Sequence, residues 1–185
     1  MMNLDNKVIE NLKNKLLKHH DLYKKIRCKA EYLEELLSMS LVSEGYNVEW
    51  KPASHEKKRD LIVNGEDLSV KSGVLMPQKK VIEISGHRLT RFNRNFDEIT
   101  AYLNKSTDTL CVYNPQKKSE AHKYSLAIIK KEKFSSLKVD EWKPKGKSYI
   151  QQNHFGTQFT IHNSMSDQIW WQVSINQLEC DKILI

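Results

Sequence analysis

At 185 residues, with 39% of them hydrophobic, the chain is long enough for one domain with a real core and too short for two full-sized ones. No run approaches the roughly 18 apolar residues of a membrane-spanning helix, and the opening Met1–Asp5 lacks the apolar segment of a secretory signal, so a cytoplasmic protein without membrane association is expected. The formal net charge of +7 favours a polyanionic partner, because each cation near a phosphate releases counterions, although composition alone does not establish one.

Over residues 4–26, Leu4, Val8, Ile9, Leu12, Leu16 and Tyr23 recur at helical spacing, with Lys7, Lys13, Lys15 and Lys18 on the remaining faces. A second helix is predicted over 28–44, stopped by Gly45, with Leu33, Leu36, Leu37, Met39 and Leu41 turned to a core. Residues 46–50 alternate as a strand does, and Pro52 ends the run. Residues 61–63 form a short apolar run closed by Asn64-Gly65, a strong hairpin signal, and 68–71 supply the partner strand. A strand over 81–84 is expected to end at Ser85-Gly86, followed by a helix over 96–103. Further strands are expected at 109–113, 124–129, 159–161 and 170–173. With no repeat and no Gly/Ser linker, this order predicts one mixed α/β (α+β) domain over 1–185. It divides into an N-terminal helix (1–27), a central part (28–115) and a β-rich C-terminal part (116–185).

The chemistry-bearing pattern lies in the 60–71 hairpin. Asp60 opens one strand, the Asn-Gly turn reverses the chain, and Lys71 ends the partner, so both side chains fall near one end of neighbouring strands and can converge on one phosphate. Lys71 shares a strand face with Ser69, opposite Leu68 and Val70. A hard divalent cation needs carboxylate oxygens and lowers the pKa of a bound water, which a nearby lysine can orient. The plainer alternative is an ion pair on the rim of an ordinary hairpin.

Arg59-Asp60 followed by Ser69-Val70-Lys71 resembles the signature of the PD-(D/E)xK nucleases. Glu34 in a helix ahead of Glu44-Gly45-Tyr46-Asn47-Val48 is similar to the layout of the archaeal Holliday-junction resolvases, and the resemblance covers residues 30–73. Arg59 stands where the family has proline, and Ser69 stands where it has an acid. A subgroup of type II restriction enzymes is similar in carrying Ser-Val-Lys there, with a later glutamate restoring the charge; Glu83 is the candidate here and Glu98 the next.

The resemblance implies a restriction-endonuclease-like catalytic core at 28–115, a central mixed sheet flanked by helices. It implies Mg²⁺ held by Asp60, Glu83, Glu34 and the Val70 carbonyl, with Lys71 positioning the water. The implied partners are double-stranded DNA cut at a short sequence and a second copy of the chain in a homodimer, with no small-molecule cofactor. The alternatives are a structure-selective nuclease, of junction-resolving or repair type, and an inactive DNA-binding protein on the same fold.

Ser85, His87, Arg88, Thr90, Arg91 and Arg94 gather hydroxyl and basic groups just before a helix, where arginines bind phosphates or guanine edges; the bland alternative is a solvated loop. The segment is similar to the one after the catalytic lysine in several restriction enzymes. Asp167 and Gln168, leading into Trp170-Trp171, are further candidates for base-edge contacts from the β-rich part. His154 and His162 lie near Asn153 and Asn163 but lack the partners of an HNH site. Cys28, Cys111 and Cys180 lie far apart with no C-x-x-C pair, so reduced thiols in or near the core are expected.

Overall fold

The protein is described by a computed structural model that covers residues 4–23, 28, 30–50, 60–115, 123–163, 167–178 and 181–183. Helix α1 spans Asn6–Leu22 and starts where the Asp5 carboxylate accepts from the Lys7 N–H at 3.1 Å. Its apolar stripe is buried at Val8, Ile9, Leu12 and Leu16. Helix α2 spans Ala30–Ser43. It ends where Gly45 takes φ +84° and the N–H of Tyr46 returns to the Leu41 carbonyl at 3.1 Å, a left-handed cap that glycine adopts without strain.

Strands β1 (Val48–Glu49), β2 (Leu61–Val63) and β3 (Glu66–Met76) follow, then β4 (Val81–Arg88). Helix α3 (Phe96–Leu103) precedes β5 (Asp108–Pro115) and β6 (Ser125–Ile129). The C-terminal part holds β7 (Lys143–Lys145), β8 (Ser148–Gln152), β9 (Gln158–His162), β10 (Gln168–Ser174) and β11 (Asp181–Ile183). Asn64 and Gly65 both take positive φ between β2 and β3, as a tight Asn-Gly hairpin turn requires.

Among the described residues all eleven strands join one sheet, in the order β11-β6-β5-β3-β4-β10-β9-β8-β7, with β2 on β3 and β1 on β2. Of these strands only β3 and β5 pair in parallel; the other described pairs are antiparallel. The expected mixed sheet is therefore present, mostly antiparallel, with α1 and α2 on one side and α3 on the other. The β-rich C-terminal part adds strands to both edges of this sheet instead of forming a layer of its own. Among the described residues no helix is long and apolar enough to cross a membrane.

Alternation along β3 divides the core. Leu68 and Val70 join the cluster under α1 and α2, with Leu110, Val112, Leu126 and Ile128. On the opposite side, Ile82, Ile84, Cys111 and Trp171 pack with Ile99 and Leu103 of α3. Cys28 and Cys111 are buried thiols, both pushed up to about 12 by burial and so inert; Cys180 and Arg59 lie outside the described residues.

Ser85-Gly86 does not end β4, as the local residues predict. The strand continues to Arg88 because β10 pairs along it, Trp170 opposite Ser85 and Gln168 opposite Arg88. Gly86 and His87 thus face the single residue Ile169, a β-bulge. A Cβ at Gly86 would stand 2.6 Å from Ile169 Cγ2 and 3.1 Å from the Ile169 carbonyl oxygen. Gly86→Ala should therefore destabilise the protein by about 1–3 kcal/mol, read as a lowered denaturation midpoint; an unchanged midpoint would mean that the bulge does not need glycine.

Candidate active site

On one edge, β3 changes partner along its length. β2 covers it at Glu66–Leu68, and β4 covers it from Gly73 to Met76. Between these two partners the Val70 peptide would face a gap in the ladder. Asp60, the residue before β2, fills it. Its N–H donates to the Leu68 carbonyl at 3.0 Å, and its Oδ2 accepts from the Val70 N–H at 2.6 Å. The same oxygen accepts from the Ser69 hydroxyl at 3.0 Å and the Lys71 ammonium at 2.7 Å, and Lys71 Nζ also donates to the Val70 carbonyl at 2.9 Å.

The Asp60 and Lys71 side chains keep 23% and 14% of their exposure, so the pair is shielded from water without being sealed from a ligand. An ammonium already lies between Asp60 Oδ2 and the Val70 carbonyl, which marks those two oxygens as a place for a cation.

Glu34, half-buried on α2, lies within electrostatic reach of this pair. Burial first, then the Asp60 carboxylate, pushes its carboxyl above the usual range, while Lys71 pulls it back. The Trp50 indole approaches Glu34 but closes no hydrogen bond of normal length, and nothing in the sequence pointed to Trp50.

Glu83 does not join this group. It stands opposite Val74, three residues beyond Lys71, so strand parity directs it from the other face of the sheet. There it accepts from Gln172 Nε2 at 2.8 Å. The expectation that Glu83 supplies the missing acid is corrected by this register. Glu98 is exposed at the start of α3, where its Oε1 accepts from Asn95 Nδ2 at 3.1 Å.

Among the described residues no three His, Cys, Asp or Glu side chains gather as metal ligands. Two carboxylates and a carbonyl remain: Asp60, Glu34 and Val70. Magnesium is commonly held by one or two carboxylates, with waters and substrate phosphate completing the shell, so this donor set fits it.

The candidate DNA contacts scatter. Arg94 Nε pairs with Asp167 Oδ1 at 3.2 Å, so those two charges are used on each other and pin the loop after β4 to the start of β10. Gln168 Nε2 donates to Ser85 Oγ at 2.6 Å. The α3 N-terminus offers no phosphate site, because Asn95 accepts from the Asp97 and Glu98 N–H groups and both of those residues are acidic.

Arg88 and Thr90 are exposed, and exposed Arg91 stacks 4.6 Å over Phe92 and 4.5 Å over Tyr102. The bulge turns His87 to the α3 side, edge-on to Tyr102 at 5.7 Å and Trp171 at 5.8 Å. There it lines a narrow cavity with Ser69, Thr107 and Thr109, behind the Asp60 cluster.

No family model matches the chain, no curated protein resembles it significantly, and no solved structure matches its fold.

The shared environment of the three charged groups has a measurable sign. Asp60→Asn removes a neighbouring negative charge and should lower the Glu34 pKa, whereas Lys71→Met should raise it. Carboxyl chemical-shift titration by NMR reads both, and a Glu34 titration that neither change moves would detach α2 from the site.

Proposed function

We propose that the protein is a metal-dependent DNA endonuclease of restriction type, hydrolysing phosphodiester bonds of double-stranded DNA with Asp60, Glu34 and Lys71 at its active site. The observation that carries this reading is the sheet gap at Val70, where a carboxylate oxygen and a peptide carbonyl face one ammonium beside a second acid. The net positive chain supports a polyanionic substrate. Asp60, Glu34 and the Val70 carbonyl would hold Mg²⁺. When bound, the ion supplies Lewis acidity at the scissile phosphate.

The chain's own groups do the rest. The Val70 N–H and the Ser69 hydroxyl hold the Asp60 carboxylate in one orientation, so it loses no freedom when substrate arrives. Lys71, freed from Asp60, has three N–H donors for a water in line with the phosphorus and for the charge growing on the phosphoryl oxygens.

Digestion of plasmid DNA with Mg²⁺, followed by sequencing of the ends, tests this reading. Asp60→Ala and Lys71→Ala should each lower cleavage on the order of a hundredfold or more, and Glu83→Ala should leave the phosphoryl chemistry in place. Cleavage that persists in the Asp60 and Lys71 variants would sink the assignment. Cutting of branched but not linear DNA would redirect it to a structure-selective nuclease, and binding without cutting to an inactive relative.

Lys71 also makes a prediction about the cation itself. Its ammonium holds both oxygens that the ion would take, so Lys71→Ala should bind Mg²⁺ or Mn²⁺ more tightly than the wild type while cutting less. Calorimetric titration without DNA reads this, and weaker cation binding by Lys71→Ala would place the ion elsewhere.

A further inference from the structure

β3 and β4 pair from Met76 and Val81 as far as Gly73 and Ile84. Past that pair no ladder joins them among the described residues, and β4 runs on along β10 to its bulge at Gly86 and His87. On the α3 side a cavity is lined by Ser69 of β3, Thr109 of β5, His87 of β4 and Trp171 of β10, with Tyr102 and Leu103 contributed by α3. It offers about 10 Å³ to the centre of a water molecule, the room of a single one.

Three of its polar walls are deeply buried: Ser69 is 5% exposed, Thr109 3% and Trp171 3%. Each has a fixed hydrogen-bonding direction. Ser69 gives its one hydroxyl proton to Asp60 Oδ2 at 3.0 Å, and Thr109 donates its own to the Thr107 carbonyl at 3.4 Å. Both hydroxyl oxygens have only lone pairs left to offer. Trp171 is the reverse. Its Nε1–H can only donate, and among the described residues no group accepts from it. Its Cζ2, on the same edge of the indole as Nε1, would stand 3.1 Å from a Cβ at Gly86, so that edge is turned toward the bulge beside His87.

One buried donor and two buried acceptors around the volume of one small molecule select its chemistry. A cation cannot accept from the indole, and an anion cannot donate to either hydroxyl oxygen. Water does both: it accepts once and donates twice, and three hydrogen bonds are the usual number for a buried water.

We infer that this cavity is a built site for one buried water, which accepts from Trp171 Nε1 and donates to Ser69 and Thr109, and that Trp171 acts through it as a positioning residue for Asp60. The chain has one direction, from an indole that only donates, through the water and the Ser69 hydroxyl, to a carboxylate that only accepts. Each bond polarises the next, and the water's proton on the Ser69 oxygen keeps that hydroxyl turned to Asp60. The hold on Asp60 then extends from β3 to β10, two strands away in the sheet. The water site is independent of any reaction, whereas its catalytic consequence rests on the endonuclease reading and deepens it.

NMR of the full chain without added metal tests the site. In the wild type the Trp171 indole proton should show cross-relaxation with water of the sign that marks a long-held molecule, and its absence overturns the water. Oxygen-17 relaxation dispersion, which is blind to hydroxyl proton exchange, should count one fewer long-lived water in Thr109→Val than in the wild type. Thermal melting confirms that the variant is folded, and an unchanged count overturns the site.

Positioning is read at the Asp60 carboxyl carbon. Trp171→Phe keeps an aromatic ring and removes the N–H, and Thr109→Val keeps the shape and removes a hydroxyl. Both should move the Asp60 resonance in the same direction at constant pH. In Trp171→Phe the Asp108 carboxyl, paired with Lys130 at 3.3 Å, should stay in place. No shift at Asp60, or an equal one at Asp108, overturns the positioning role.

In plasmid digestion with Mg²⁺, Trp171→Phe should lower kcat several-fold and leave KM for DNA unchanged, and an unchanged kcat overturns the catalytic consequence. A wild type that holds the water and never cuts supports the site and overturns the endonuclease reading. A wild type that cuts without holding the water does the opposite.

Discussion

A β-strand that changes partner on one edge leaves peptide groups between the two partners, and those groups must find hydrogen bonds or be solvated. In this protein β3 passes from β2 to β4 at Val70, and the Asp60 carboxylate takes the Val70 N–H at 2.6 Å in place of a third strand. Desolvating that peptide without a partner would cost about 1–3 kcal/mol, so the aspartate has a structural reason to be there before any chemistry is considered. Everything else at the site follows from its position. The Lys71 ammonium closes on the same oxygen, and Ser69, one residue before Val70, reaches it by its hydroxyl. The gap also opens the sheet to both sides, which is how an acid on α2, packed over one face, lies within electrostatic reach of a lysine that belongs to the other.

The Asp60–Lys71 pairing was legible in the sequence because it depends on local rules only. An Asn-Gly turn fixes the register between β2 and β3, and that register alone brings Asp60 opposite Ser69 and within reach of Lys71. Glu83 failed for a reason of the same kind acting at longer range. Its face is set by pairing to Val74 after an intervening turn, and the sequence gives no count of how far β3 runs before that turn. The length of β4 and the bulge at Gly86 depend on β10, more than eighty residues later, so local turn signals at Ser85-Gly86 read correctly as a disturbance and wrongly as an end. The hairpin of β7 and β8 was missed because Lys143-Pro144-Lys145 carries no apolar alternation; it is an edge strand, where proline and lysine are the expected guards.

The two halves of the sheet divide the work. Around β3, β5 and β6 both faces are covered, one by α1 and α2 and the other by the cluster on α3. That double cover holds the Val70 gap rigid, since a rotation of β3 would disturb buried side chains on both sides at once. Beyond β4 the face away from α3 carries half-buried Gln158, Thr160 and His162 of β9 and Gln168, Trp170, Gln172 and Ser174 of β10, a mixture of amides, hydroxyls and aromatic rings. The loop tied by the Arg94–Asp167 ion pair lies where β4 and β10 meet, so these two residues also join the loop to the start of β10.

Ser69 then looks less like a loss than a response to crowding. Glu34 is already pushed upward by burial and by Asp60, with one lysine to offset two carboxylates. A third carboxylate at position 69, which is 5% exposed and directly bonded to Asp60, would face like charge from Asp60 in a shielded setting and would raise its own pKa or that of its neighbours. A hydroxyl at the same place donates where an acid would repel, so it steadies Asp60 at no cost in charge. On the proposed endonuclease reading, a cation held here would have one fewer anionic ligand and would depend correspondingly more on Glu34, on the Val70 carbonyl and on a substrate phosphate. On that reading, affinity for a metal and affinity for nucleic acid would be coupled through the same few oxygens, with Lys71 the group that both would have to move.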